Sequence, residues 1–123
     1  SDLFSVRYPI PSTNVQSVTE TYDLTPQRAH IATETIGTAT ELRVRFPALV
    51  FTGVRASTLK VETNSASLTL GRSRETFSVI EPAGATRRRS GDIQSGRNGF
   101  FEVIETEVRT NRVIYTLTPE LLP

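Results

Sequence analysis

The sequence predicts an all-β fold: a small antiparallel β-barrel or sandwich with an extended N-terminal arm and a long basic loop. Three observations carry this. Apolar residues alternate with polar ones through Leu42, Val44 and Phe46, through Leu68 and Leu70, through Phe77 and Val79, through Phe101 and Val103, and through Val113, Tyr115 and Leu117. Period-two alternation rich in β-branched and aromatic residues marks half-buried strands. The runs are short and recur every 8–12 residues or so, the spacing of a barrel or sandwich. No helix longer than about two turns is demanded by any apolar stripe.

At 123 residues the chain reads as a β-domain over 41–123 preceded by an extended, mostly polar segment over 1–40. That length can bury a core without disulfides or metal. The absence of Cys excludes a disulfide scaffold, a thiolate zinc site and a Cys nucleophile. No apolar run approaches the roughly 18 residues of a membrane span, so no membrane contact is expected. No charged-then-apolar leader is visible, so no signal peptide is expected in this sequence. Net charge is +1, which gives no bulk attraction for polyanions. Of the 14 basic residues, Lys60 alone is not Arg, and Arg favours planar, bidentate contacts to carboxylate or phosphate.

Along the chain, Leu3, Phe4, Val6, Tyr8 and Ile10 crowd the first ten residues, and Pro9 and Pro11 keep that stretch extended. It reads as an assembly arm or as an edge strand of its own domain. From Ser12 to Thr40 the chain is polar; Val15, Val18 and Tyr22 allow a weak helical face that Pro26 ends. Ala29 to Ile36 fits a short strand or a helix turn. Leu42, Val44 and Phe46 form a strand that Pro47 interrupts, and Leu49 to Val54 a second one. Asn64-Ser65 and Gly71 to Glu75 read as turns around Leu68–Leu70. From Glu81 to Gly99 large apolar residues almost stop, leaving a long loop. A closing hairpin runs from Phe100 to Val108, turns through Arg109–Arg112 and returns to Thr118.

The loop is the sharpest feature. Arg87, Arg88, Arg89 and Arg97 face one carboxylate, Asp92. A solvated cluster of this kind suits phosphates or a partner's carboxylates. No aromatic residue interleaves with it, so base stacking is not expected. Catalysis is poorly supplied: His30 is the lone His, no metal-ligand spacing occurs, and no catalytic residue or cofactor is expected. Glu105 and Glu107 share a strand face, with Arg43, Arg109 and Arg112 as available cross-strand partners. Gly96-Arg97-Asn98-Gly99 reads as a hairpin turn and not as a phosphate cradle, because no helix follows.

Residues Arg88-Arg89-Ser90-Gly91-Asp92-Ile93, then Gly96 to Val103, then Val113 to Leu117, with Ser67–Leu70 upstream, resemble the C-terminal half of tailed-phage head-closure (head–tail joining) proteins over residues 66–118. The shared features are a basic-Gly-Asp turn, a Gly-containing hairpin, an aromatic-x-Val strand and a final strand. The Arg triplet and the polar 12–40 segment depart from that pattern. The resemblance implies a small β-barrel in a non-enzymatic virion protein, a neck-ring component of head–tail connectors. Expected partners are further copies of the chain, a portal or adaptor ring, the tail or the major capsid protein, and packaged double-stranded DNA. The expected location is the virion, assembled in the host cytoplasm. Rival readings are a capsid decoration (cement) protein, a nucleic-acid-binding β-barrel and an extracellular adhesin.

Overall fold

The computed structural model describes residues 2–10, 15–62, 65–83, 85 and 87–123. The described residues form ten strands: β1 (Asp2–Pro9), β2 (Val15–Leu24), β3 (Ala29–Gly37), β4 (Leu42–Phe51), β5 (Thr58–Val61), β6 (Ser65–Leu70), β7 (Ser73–Glu81), β8 (Arg87–Gly96), β9 (Gly99–Val108) and β10 (Arg112–Leu121). They form two antiparallel sheets. One has seven strands in the order β1-β2-β3-β10-β7-β6-β5; the other has three, β4-β9-β8. Neither sheet closes into a barrel, so of the two predicted architectures the two-layer sandwich is the compatible one.

The core lies where the three-stranded sheet covers β10, β7, β6 and β5. Phe46 on β4 stacks on Phe77 of β7 at 5.2 Å between ring centroids, and Tyr115 on β10 tilts against Phe77 at 5.3 Å. Ala48, Ala66, Phe77 and Ile104 form the buried centre, with Leu59, Val61, Leu68, Val79 and Leu117 packed around it. Small Ala48 and Ala66 leave room for the aromatic stack, the interdigitation that gives interiors their density.

Four local expectations are corrected. Among the described residues, 2–40 are mostly strand and not an arm: the Thr-rich runs of β2 and β3 pair as a hairpin, and β3 joins β10. Val18, Glu20 and Tyr22 then share one strand face rather than a helical one. Their hairpin closes at Thr25, whose hydroxyl accepts hydrogen bonds from the Gln27 and Arg28 amides at 3.3 and 3.2 Å. Pro47 does not break its strand. It sits inside β4, an edge strand, where a missing N–H costs no ladder bond on the open side.

Third, β9 and β10 are not a hairpin. Val108 and Arg112 belong to different sheets, and the corner between them is tied to β3: the Thr35 amide donates to Asn111 O at 2.8 Å and Asn111 Nδ2 donates to Thr35 O at 3.3 Å. Fourth, the phase of β9 is off by one residue, although the expected Val103 is buried as well, at 4%. Ile104 and Thr106, each 1% exposed, point into the sandwich. Phe101 is half-buried and packs over Gly96. The expected turn at Asn64 lies outside the described residues. The turn at Gly71 is shorter than expected, since β7 already begins at Ser73.

Candidate functional site

The predicted long loop is mostly strand. β8 pairs with β9 through Arg87↔Thr106, Arg88↔Glu105 and Arg89↔Ile104, then slips before Ile93↔Glu102. Residues 84 and 86 lie outside the described residues. Gly91 takes φ +76° at the slip, a conformation side chains rarely adopt, and the Ser90 hydroxyl caps it by donating to Val103 O at 2.6 Å. At the far end, Gly96 and Gly99 bracket the two-residue turn expected from the sequence. A Cβ on Gly99 would lie 2.1 Å from Phe51 O, so only glycine fits where the β8–β9 turn passes β4.

This pairing gives each Arg of the triplet a local environment. Arg87 is 6% exposed, its guanidinium carbon 5.6 Å from the Phe77 ring centroid. Burial lowers its pKa from the ordinary guanidinium value. Arg88 Nη2 lies 2.9 Å from Glu105 Oε1. Arg89 grips Glu102 with two hydrogen bonds, Nε to Oε2 at 2.6 Å and Nη2 to Oε1 at 2.5 Å. That fork holds the Glu102 carboxyl below its usual range and raises Arg89 above its own. Glu105, with a side chain only 7% exposed, also takes Arg43 at 3.1 Å and Arg45 at 3.7 Å; Arg45 in turn reaches Asp92 at 2.8 Å. Arg43 was among the partners expected for Glu105. Arg112 instead pairs with Glu34 and Glu81, both at 3.7 Å. Arg97 stands apart, exposed at the turn and without an ion pair among the described residues. The triplet is therefore a knitted part of the three-stranded sheet, not a mobile patch.

The second predicted set, Leu3, Phe4, Val6, Tyr8 and Ile10, lies along the opposite edge of the molecule's larger sheet. All eight residues of β1 are exposed. Leu3 is 72%, Phe4 45%, Val6 45% and Tyr8 38% exposed, four of the ten large apolar side chains left open among the described residues. Ile10 is half-buried, and its amide donates to Gln16 O at 3.4 Å. Phe4, Val6 and Tyr8 share one face, opposite Tyr22, Glu20 and Val18 of β2. Phe4 stacks on Tyr22 at 4.9 Å. The Tyr8 and Tyr22 hydroxyls donate to the two oxygens of Glu20 at 2.6 and 2.8 Å. Both phenols are pushed up to about 12, chiefly because their protons are held by that carboxylate.

The Glu20–Tyr8–Tyr22 cluster was not foreseen from the sequence. Its one signal is the i, i+2 pair Glu20 and Tyr22, which shares a face only if the segment is a strand. A smaller exposed group also went unread: Phe51 and Phe100 stack at 6.1 Å beside the Gly96–Gly99 turn, with Val54 88% exposed on the next turn. Between the sheets, a cavity of about 150 Å³ is lined by apolar side chains including Phe46, Leu59, Phe77, Phe101 and Ile104, with Glu75 as its one carboxylate. No family model matches this chain, and no curated protein matches it.

Proposed function

We propose that this chain is a non-enzymatic structural protein of a tailed-phage virion, a head–tail connector (neck) component that acts by assembling with further copies and with neighbouring virion proteins. The observation that carries the assembly part is β1: an eight-residue edge strand, exposed throughout, with Leu3, Phe4, Val6 and Tyr8 open to solvent. Unpaired strand edges and contiguous apolar surface are the features by which β-proteins add to one another. The neck assignment is supported by the resemblance over residues 66–118. The order of elements there agrees with it: strand, Gly96–Gly99 turn, strand, corner, strand.

Capsid decoration is the second reading, favoured by the same exposed strand, which would serve equally as a clamp on neighbouring capsid subunits. DNA binding has less behind it than the sequence alone suggested, because Arg88 and Arg89 are engaged by Glu105 and Glu102, leaving Arg97 as the open cation of the predicted set. A low-resolution image of particles carrying the tagged chain tests the assignment. A ring at one vertex is expected. A lattice over the shell would move the protein to the decoration class, and particles lacking it would overturn the virion reading.

A further inference from the structure

The register of β1 points to what covers it. The Ile10 amide bonds across to β2, and β1 and β2 pair without a slip from Asp2↔Leu24 to Pro9↔Ser17. Main-chain groups alternate sides along a strand. Even-numbered residues of β1 therefore spend theirs on β2, and Leu3, Ser5, Arg7 and Pro9 aim theirs outward. Pro9, which has no N–H to offer, is at an outward position, as expected for proline on an edge.

A two-fold axis normal to the sheet would bring a second β1 alongside, antiparallel, with residues of like parity opposite one another. Only a few registers are open. With Arg7 on the axis, two guanidiniums oppose each other, which is destabilising. With Ser5 on the axis, Leu3 meets Arg7 and Tyr8 meets Asp2. With Val6 on the axis, Val6 meets Val6 of the second copy, Phe4 meets its Tyr8 and Ser5 meets its Arg7. In that register Phe4, Val6 and Tyr8 each meet an apolar or aromatic residue, and only Ile10, past the end of the strand, meets Asp2. The Tyr22–Phe4 stack at 4.9 Å continues onto an aromatic ring of the second copy. About six main-chain hydrogen bonds would form between the outward residues.

We propose that β1 pairs with β1 of a second copy of this chain, antiparallel, with Val6 on the two-fold axis. This rests on the reading of β1 as the assembly strand and names its partner. The pair is isologous and closes the open edge on both copies, so growth beyond two copies uses another surface. Because outward bonds fall on odd residues, Val6 faces its counterpart in a non-hydrogen-bonded pair, where Cβ atoms lie about 4.5–5.5 Å apart. A disulfide needs Cβ atoms about 3.5–4.5 Å apart, so a small adjustment closes one there.

The chain has no cysteine, so single-cysteine variants report cleanly. Sedimentation of the purified parent should show a dimer. Under mild oxidation Val6→Cys should cross-link to a covalent dimer, whereas Ser5→Cys and the exposed control Val54→Cys should not. Val6→Lys should keep the β circular-dichroism spectrum and weaken dimerisation by about tenfold or more, since a buried edge lysine is a standard block to strand addition. A monomeric parent, or Val6→Cys cross-linking no faster than Val54→Cys, overturns the proposal. Cross-linking of Ser5→Cys in preference to Val6→Cys overturns the register. If the parent is monomeric yet Val6→Lys is excluded from particles, a strand from another virion protein covers β1: the self-pairing falls and the assembly reading stands. If the dimer forms but Val6→Lys enters particles normally, it is the assembly reading that falls.

Discussion

The two regions singled out by sequence sit at opposite extremes of satisfaction. In the β4-β9-β8 sheet, seven charged side chains close on each other: Glu105 holds Arg43, Arg45 and Arg88, Arg89 holds Glu102, and Arg45 reaches Asp92. Along β1 closure is one-sided: Phe4 stacks on Tyr22, and Ser5, Arg7 and Tyr8 bond to Thr21, Ser17 and Glu20, all on β2. Its side chains are exposed, and among the described residues its outward main-chain groups have no strand beside them and its ladder is to β2 alone. A conspicuous run of like charge in a sequence is thus a weak sign of a binding surface when carboxylates lie on the neighbouring strand. An apolar edge with no neighbour is the stronger sign, because nothing among the described residues satisfies it.

A large expected effect breaks the satisfied side of that comparison. Glu105→Ala leaves three partly exposed guanidiniums round the place of a buried carboxylate and should cost about 3 kcal/mol, since each charged hydrogen bond lost is worth about 1.5–3 kcal/mol and the arginines can turn to solvent. Urea unfolding measures it, and parent-like stability would mean the arginines reorganise into solvent at no cost.

Next is the phase of β9. Ile104 is 1% exposed, so Ile104→Ala should cost about 2–5 kcal/mol. Phe101→Ala should cost less than the usual aromatic truncation, because that ring is only half-buried over Gly96. The reverse ranking of the two midpoints would restore the phase expected from the sequence.

A smaller effect sharpens the β1 side. Tyr8 and Tyr22 are raised from 10.0 to about 12 by their bonds to Glu20. A folded-state pKa above the unfolded one adds stability that is complete below about pH 10 and is lost as pH rises toward 12. Absorbance titration at alkaline pH should find all three tyrosines late in the parent, Tyr115 because burial raises it, and in Glu20→Gln Tyr8 and Tyr22 should move back toward the ordinary range while Tyr115 stays late. Late titration of Tyr8 and Tyr22 that survives Glu20→Gln would show that burial, not the carboxylate, holds the protons.

Where burial made the strands, period two made them readable: Phe46, Leu68, Phe77 and Val79, Tyr115 and Leu117 all take part in or border the core. β8 was unreadable for a physical reason. Arg87-Arg88-Arg89-Ser90-Gly91-Asp92 carries no apolar alternation, since its cross-strand partners are Glu105 and Glu102, and ion pairs do for it what apolar burial does elsewhere. β2 and β3 were obscured because threonine suits strand and loop alike. The corner at Asn111 depends on Thr35, 76 residues away, a contact that no local pattern records. For the candidate sites, the residues of the β1 surface were legible as an apolar cluster, but the Glu20 clasp that organises Tyr8 was not.

Amide hydrogen exchange, followed below and above the concentration at which the chain self-associates, tests the contrast between the two regions most directly. The amides of Leu3, Ser5 and Arg7 should exchange quickly in the dilute chain and slow markedly on association, while the β9 amides around Ile104 should be slow in both. Slow exchange at Leu3, Ser5 and Arg7 already in the dilute chain, or exchange there that association leaves unchanged, would contradict it.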